Sequence, residues 1–193
     1  MNLGRLFLRG VAGPLFVGHG TQKLFGWFDG HGIEGTGGFF ESLGLRPGKR
    51  HATAAGAAEA GGGLLLTLGA LTPVATAVIT GTMITAVRKV HLSKGPWATD
   101  GGYEYNVALI AALAALTETG PGRPSVDDAL FPRLRGTGWA LAAVTAGAAG
   151  SYLATERFNE PAPAPAPQAA DAELESQPRF QRDPAEVSAD QPA

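Results

Sequence analysis

VALIAALAAL, residues 107–116, is the most informative stretch of this chain for its fold class. Because it contains only Val, Ala, Leu and Ile, a helix formed by it is apolar on every face. A helix on the surface of a soluble protein carries a polar stripe instead. The stretch therefore favours a membrane-embedded helix, and a soluble all-α bundle with a core of small residues is the structural alternative.

Four other long stretches are also mainly apolar, and each is near the ~20 residues that cross the ~30 Å hydrocarbon core of a bilayer. We therefore predict an all-α fold: a transmembrane helical bundle with a four-helix core and a fifth, C-terminal transmembrane helix. The predicted spans are residues 3–27, 52–71, 74–91, 103–119 and 137–154. The turn after Leu71 is so short that the second and third spans must be antiparallel.

Small residues recur at four-residue spacing within these spans, which lets helix backbones approach closely. A chain with 28 glycines also produces such groups by chance, so they are only compatible with the bundle. The groups are Gly56 and Ala60, Gly81 and Thr85, and Ala143, Gly147 and Ser151.

Charge and composition divide the chain into three parts. Residues 1–128 hold the predicted four-helix core and residues 129–158 the additional helix, and together they contain 13 basic and 10 acidic residues. Residues 159–193 contain 2 basic and 7 acidic residues and open with alternating Pro and Ala. Such a segment buries too little apolar surface to offset its ordering entropy, so we predict a disordered, Pro/Ala-rich acidic tail.

The chain contains no cysteine. This excludes disulfides, dithiol redox chemistry, thiolate zinc sites, covalently attached haem and cysteine-bound iron–sulfur clusters within the chain. We predict neither a metal site nor a covalently bound cofactor. An electron-transfer role would need a protein partner or a diffusible cofactor such as a quinone.

Polar side chains are expected to converge at one end of the bundle, because antiparallel succession brings the ends of the first and third spans beside the starts of the second and fourth. An ionisable group in hydrocarbon is costly unless it has a polar partner. His19 and Lys23, four residues apart, project from one helix face, and Glu59 is their best expected partner. The candidate polar site comprises His19, Lys23, Glu59, His91, Glu104, Tyr105 and Asn106.

Two interpretations of this site stay open. The functional one is a pocket open toward one leaflet for a small substrate, a quinone headgroup or a proton path. The structural one is a buried ion pair that fixes helix register, with Arg88 and Lys89 reaching to lipid headgroups. The loop before Arg50 is also predicted to hold a short amphipathic helix from Thr36, which either lies at the interface or covers the site.

Two groups of residues resemble a known family. One comprises Arg9-Gly10, Gly13, Phe16, His19-Gly20 and Lys23-Leu24-Phe25-Gly26; the other comprises Gly102-Tyr103-Glu104-Tyr105-Asn106 and Gly120-Pro121-Gly122-Arg123. In this order and spacing they resemble the opening helix, and the fourth helix with its exit, of the DoxX family of small prokaryotic membrane proteins. The resemblance spans residues 5–128.

The resemblance implies a four-helix transmembrane core and an association with redox biology. Some relatives are the small subunit of thiosulfate:quinone oxidoreductase, and others join membrane complexes that handle oxidative stress and thiols. We therefore expect a redox-associated subunit or a binder of quinone or another small molecule in the prokaryotic plasma membrane. At most, the chain is expected to be a subunit of a membrane oxidoreductase of the thiosulfate:quinone type.

Two alternative functions stay open: a proton-linked transporter of small molecules, and a membrane scaffold that recruits redox or stress-response partners. The expected partners are the lipid bilayer, proteins of a membrane redox complex and further copies of the chain, with no nucleic acid. Basic residues are divided too evenly between the two ends of the bundle to fix its orientation in the membrane.

Overall fold

The computed structural model describes residues 2–162, and the regular elements in that range are all helical, which confirms the predicted all-α class. One helix, α4 (Thr72–Ala86), continues through a π-helical turn (Val87–His91) and a 3-10 turn (Leu92–Lys94). A second 3-10 turn covers Ala98–Asp100, and the helix α7 (Thr137–Tyr152) continues into a π-helical turn (Leu153–Arg157). The α-helices are α1 (Leu3–Phe25), α2 (Gly32–Ser42), α3 (Gly48–Leu68), α4 (Thr72–Ala86), α5 (Glu104–Thr119), α6 (Val126–Leu130) and α7 (Thr137–Tyr152).

The long helices pack around one core. α1 packs along α3, α3 packs on α4, and α4 contacts both α5 and α7. The predicted spans thus correspond to α1, α3, α4, α5 and α7, and α2 packs on α3. The core cluster takes side chains from α1, α3, α4 and α5, namely Ala12, Phe16, Leu66, Ala75, Ile79, Leu113 and Leu116.

Four of the five long helices are shorter than predicted, since α1 ends at Phe25 rather than at residue 27. α4, α5 and α7 contain 15, 16 and 16 residues. The third span reaches His91 as predicted, but its last turn, from Val87, is π-helical rather than α-helical. Within residues 2–162, no helix combines the length and the apolar composition that a membrane crossing requires.

The helix expected in the first loop is present as α2. It begins at Gly32, four residues before the predicted start at Thr36. Gly37 and Gly48 lie where α2 meets α3, and Gly48 N–H donates to Glu41 Oε1 at 3.0 Å. α2 is therefore fixed to the start of α3 by backbone contact.

Glycines bring α1 and α3 to backbone distance from each other. A Cβ atom at Gly20 would overlap backbone atoms of Gly56 and Ala60, so any side chain there would push the two helices apart. The predicted close approach at Gly56 and Ala60 is confirmed. The other predicted groups of small residues also lie at a helix contact, since Gly81 meets Gly147 and Thr85 Oγ1 lies 2.8 Å from Ser151 Oγ.

Threonines, rather than large apolar side chains, fill much of the interior around α4. Thr72, Thr76 and Thr80 follow one another on successive turns and have no exposed surface. Thr76 Oγ1 lies 2.7 Å from Oγ1 of Thr117, which is equally buried on α5. The hydroxyls are therefore part of the packing between α4 and α5.

Large apolar side chains lie mostly on the outside of the bundle. Along α1, Leu3, Phe7, Val11 and Leu15 form a continuous stripe and are 44–72 % exposed. In the described part of the chain, six large apolar side chains are buried: Phe16, Leu45, Leu66, Ile79, Leu113 and Leu116.

The segment after α7 is tied to the loop between α2 and α3. Asn159 accepts a hydrogen bond from Arg46 N–H (2.6 Å) and donates one to Gly44 O (2.8 Å). Glu160 N–H donates to Arg46 O (2.8 Å). The first residues of the predicted tail are thus held by the bundle, and the tail from residue 163 onward lies outside the described residues.

Candidate functional site

An ion pair between Lys23 and Glu59 forms the centre of the candidate site. Lys23 lies in the last turn of α1, Glu59 lies within α3, and Lys23 Nζ is 2.5 Å from Glu59 Oε2. The side chain of Glu59 is 7 % exposed and that of Lys23 is 24 % exposed. A carboxylate buried to this extent needs a cation beside it. The structure therefore brings these two predicted site residues together.

His19 lies one turn before Lys23 on the same face of α1. Its ring Nδ1 is 3.2 Å from Gln22 Oε1, and Lys23 Nζ lies 3.5 Å from the His19 carbonyl oxygen. An ammonium group has three N–H donors, and an imidazole ring has a second nitrogen. Among the described residues, one Lys23 N–H and His19 Nε2 have no hydrogen-bond partner. Each of these two groups is free to hydrogen-bond to a polar ligand.

Two predicted site residues organise the loop between α4 and α5 instead. His91 Nδ1 lies 2.6 Å from Gly101 O. Glu104 Oε1 accepts a hydrogen bond from Ala98 N–H at 2.8 Å. Both side chains are used by backbone groups close to them in sequence, and the structure does not bring them to the Lys23–Glu59 pair.

The two remaining predicted site residues also lie apart from the pair. Asn106 is buried, and its Nδ2 donates to Met83 Sδ on α4 at 3.4 Å. Tyr105 is 61 % exposed on the surface of α5. The candidate site is thus reduced to His19, Lys23 and Glu59.

Arg88 is engaged within the bundle. Its Nη2 lies 2.6 Å from Glu156 Oε1, and its Nη1 donates to Thr155 Oγ1 at 2.8 Å. The hydrogen bond from Arg88 lowers the pKa of the exposed Glu156 carboxyl below its ordinary value. The pair therefore joins the end of α4 to the π-helical turn after α7.

A second polar centre, which is not among the predicted site residues, surrounds Arg9 near the other end of α1. Arg9 lies fourteen residues before Lys23, or about 21 Å along the helix. It is 1 % exposed, donating from Nη1 to Thr67 O (2.9 Å) and from Nη2 to Pro124 O (2.6 Å). Arg9 therefore links the end of α3 to the segment that follows α5.

Asp127 belongs to the same polar centre and caps the N-terminus of α4, although it lies far from α4 in sequence. It is 2 % exposed and accepts hydrogen bonds from Leu71 N–H (2.7 Å), Thr72 N–H (2.8 Å) and Thr72 Oγ1 (2.6 Å). Leu71 has a φ of 47° and provides no side-chain cap of its own. A carboxylate at a helix N-terminus satisfies free N–H groups and faces the positive end of the helix dipole.

Two signals in the sequence point toward this centre. Arg9 is a charge within an apolar stretch, and Ser125 and Asp128 have the spacing of a helix N-terminus, where Ser125 Oγ accepts from Asp128 N–H at 3.2 Å. Neither signal identifies the partners of Arg9 and Asp127. Those partners include backbone carbonyl groups, which every residue type supplies, and backbone N–H groups, which every type except proline supplies.

The model of the DoxX family matches residues 4–92, from the start of α1 to the turn after α4. This part of the chain belongs to the DoxX family. No curated protein and no solved structure gives a significant match to the chain. DoxX is a family of prokaryotic membrane proteins, so the membership associates the chain with a lipid bilayer.

The DoxX segment contains His19, Lys23 and Glu59, so the ion pair lies wholly within the family match. Asp127 and the start of α5 lie beyond the segment. The resemblance of residues 102–123 to the fourth helix of DoxX proteins and its exit stays a prediction.

Proposed function

We propose that the protein is a multi-pass protein of the prokaryotic plasma membrane that binds a quinone or a similar small redox molecule beside the Lys23–Glu59 pair. It acts as a subunit of a membrane redox complex rather than as a complete oxidoreductase. The absence of cysteine supports the subunit role, because the chain offers no thiolate ligands for an iron–sulfur cluster and no dithiol.

The distribution of side chains over the assembled bundle supports the membrane location. Helices in a bilayer pack through small residues, and lipid surrounds the large apolar side chains. The Gly20 contact between α1 and α3 and the threonines of α4 provide such an interior, and the stripe from Leu3 to Leu15 provides such an exterior. Among the described helices, none has the length and composition of a membrane span by itself. The proposed membrane location therefore depends on how small and large side chains are distributed over the bundle.

The buried ion pair supports the ligand class. Lys23 and His19 each keep a polar group on one face of α1, beside the buried carboxylate of Glu59. The carbonyl oxygen of a quinone accepts hydrogen bonds of this kind. Glu59 holds the Lys23 ammonium in place for that contact.

Ligand-dependent thermal unfolding of the detergent-purified protein tests the proposal. A short-chain quinone is expected to raise the Tm of the wild type, since a ligand that binds only the folded state stabilises it. Glu59→Gln is expected to remove this rise because Lys23 loses the group that orients it. Glu34→Gln is the matched control, as Glu34 forms an exposed ion pair with Lys49 at 2.7 Å.

The two possible failures have different meanings. If the quinone stabilises Glu59→Gln as much as the wild type, the ligand binds elsewhere and the site assignment is wrong. If the quinone does not stabilise the wild type, the ligand class is wrong.

A further inference from the structure

A cavity of about 280 Å³ opens at the end of the bundle that holds the second polar centre. It is lined by the start of α1, the segment that leaves α5, and the segment between α6 and α7. Three arginines line it: Arg5, Arg123 and Arg135. It is separate from the Lys23–Glu59 pair, which lies toward the far end of α1.

Two of these arginines are partly engaged by the protein. Arg5 Nη1 donates to Thr119 O (2.6 Å) and Gly120 O (3.1 Å), which fixes the end of α5. Arg123 Nε lies 2.6 Å from Asp128 Oδ2, and the Arg123 side chain is 76 % exposed. Because a guanidinium has five N–H donors, both side chains keep donors for a ligand.

Arg135 has no hydrogen-bond or ion-pair partner in the described part of the chain. The aliphatic part of its side chain lies against Gly120, which places it beside the carbonyls that Arg5 holds. Its charge is thus available at the wall of the cavity.

Both acids that line the cavity already have hydrogen-bond or ion-pair partners. Asp127 accepts three hydrogen bonds at the start of α4, and Asp128 pairs with Arg123. The groups that remain free to bind a ligand in the cavity are therefore mainly the N–H donors of the arginines. Guanidinium groups match phosphate oxygens in shape and charge and bind them in pairs of hydrogen bonds.

The volume of the cavity and the residues at its opening suit a lipid headgroup. Its volume is slightly below the range of pockets for drug-sized ligands, which suits a small anion or a headgroup rather than a whole cofactor. A side chain at Gly122 would meet Asn2 and Arg5, so glycine leaves this wall open. Phe131 and Pro132 supply an apolar part of the rim.

We propose that this cavity binds a phosphate-bearing anion, either the phosphodiester headgroup of an anionic lipid or a free phosphate, through Arg123 and Arg135. Arg5 shapes the site by holding the end of α5. The binding needs neither a quinone nor the Lys23–Glu59 pair, so this inference can fail or succeed apart from the proposed function.

Thermal unfolding of the detergent-purified full chain with two probes tests the inference. One arm adds inorganic phosphate, and the other adds phosphatidylglycerol to mixed micelles, with phosphatidylcholine as the neutral lipid. We expect stabilisation by at least one anionic probe and none by phosphatidylcholine. Arg135→Gln is expected to weaken the binding roughly tenfold, which corresponds to the loss of a charge-assisted hydrogen bond.

Arg133→Gln is the matched control, because it removes the same charge from the same segment without touching the cavity lining. Arg135→Lys is expected to bind with intermediate affinity, as it keeps the charge and loses the paired geometry. If Arg135→Gln does not fold, Arg123→Gln replaces it. Equal losses in Arg133→Gln and Arg135→Gln, or stabilisation by neither anion, would overturn the proposal. The arm that responds identifies the source of the phosphate.

Discussion

Asp127 and Asp128 are adjacent residues with different partners. The Asp127 carboxylate is buried and accepts three hydrogen bonds from Leu71 and Thr72, whereas Asp128 pairs with the exposed Arg123. Asp127→Ala leaves buried donors without an acceptor, and we expect the free energy of unfolding to fall by about 3 kcal/mol. Asp128→Ala is expected to cost about 1 kcal/mol or less. Unfolding in mixed detergent and SDS micelles measures both, and equal losses would contradict the cap assigned to Asp127.

Lys23 and Glu59 should be energetically coupled. Lys23→Met leaves the buried Glu59 carboxylate without its cation, and we expect a loss of about 2 kcal/mol, less than for a fully buried pair because Lys23 is partly exposed. A second substitution, Glu59→Met, should recover part of that loss. A double-mutant cycle gives the coupling free energy. Additive losses would show that the 2.5 Å contact contributes nothing to stability.

At the scale of the helices, substitution by alanine is expected to change the unfolding free energy in opposite directions at Gly18 and at Gly20. A Cβ atom at Gly20 would overlap the backbone of α3, so Gly20→Ala is expected to cost about 1–3 kcal/mol of unfolding free energy. A Cβ atom at Gly18 has nothing within 4 Å, and alanine favours a helix over glycine by about 0.5–1 kcal/mol. Gly18→Ala should therefore stabilise the protein. Melting temperatures of the two variants check the sign, and stabilisation by Gly20→Ala would refute the close approach of α1 and α3.

The contact between the ends of α4 and α7 should depend on pH. Since Arg88 lowers the pKa of Glu156 in the folded protein, the ionised carboxylate stabilises this contact above the pKa of the unfolded chain. The stabilisation is lost as the pH falls through the lowered pKa of the folded protein. Hydrogen exchange in Leu153–Arg157, corrected for intrinsic rates, should then increase. Glu156→Gln should exchange faster at neutral pH and lose the acid-dependent step; an unchanged acid response would assign it to another group.

At the scale of the whole molecule, spin labelling can measure which positions are exposed to lipid and which to water. Because the chain has no cysteine, every single-cysteine variant carries one nitroxide label. A nitroxide placed at Phe7 or Leu15 in reconstituted bilayers should relax with oxygen, which concentrates in lipid. A nitroxide at Lys94 or Asp100, in the loop after α4, should relax with a water-soluble nickel reagent. If the label at Leu15 responds chiefly to the nickel reagent, the exterior of α1 does not face lipid.

The sequence predicts the helices better than it predicts their contacts. Long apolar stretches locate α1, α3, α4, α5 and α7, because these helices are apolar over most of their length, outside as well as inside the bundle. A lone acid in such a stretch needs a base, which leads from Glu59 to Lys23. The positions of His91 and Glu104 could not be predicted in this way. Both bind backbone groups of their own loop, and those groups leave no trace in the sequence.

The order of synthesis gives the cap on α4 a further consequence. A ribosome makes Thr72 55 residues before Asp127, so the first turn of α4 waits for its acceptor until α5 has been made. A product that stops after residue 92 would contain the whole DoxX segment, yet it would lack Asp127 and the Pro124 carbonyl that Arg9 binds. The polar contacts of the DoxX segment are therefore completed only after residues that follow it in the chain have been synthesised.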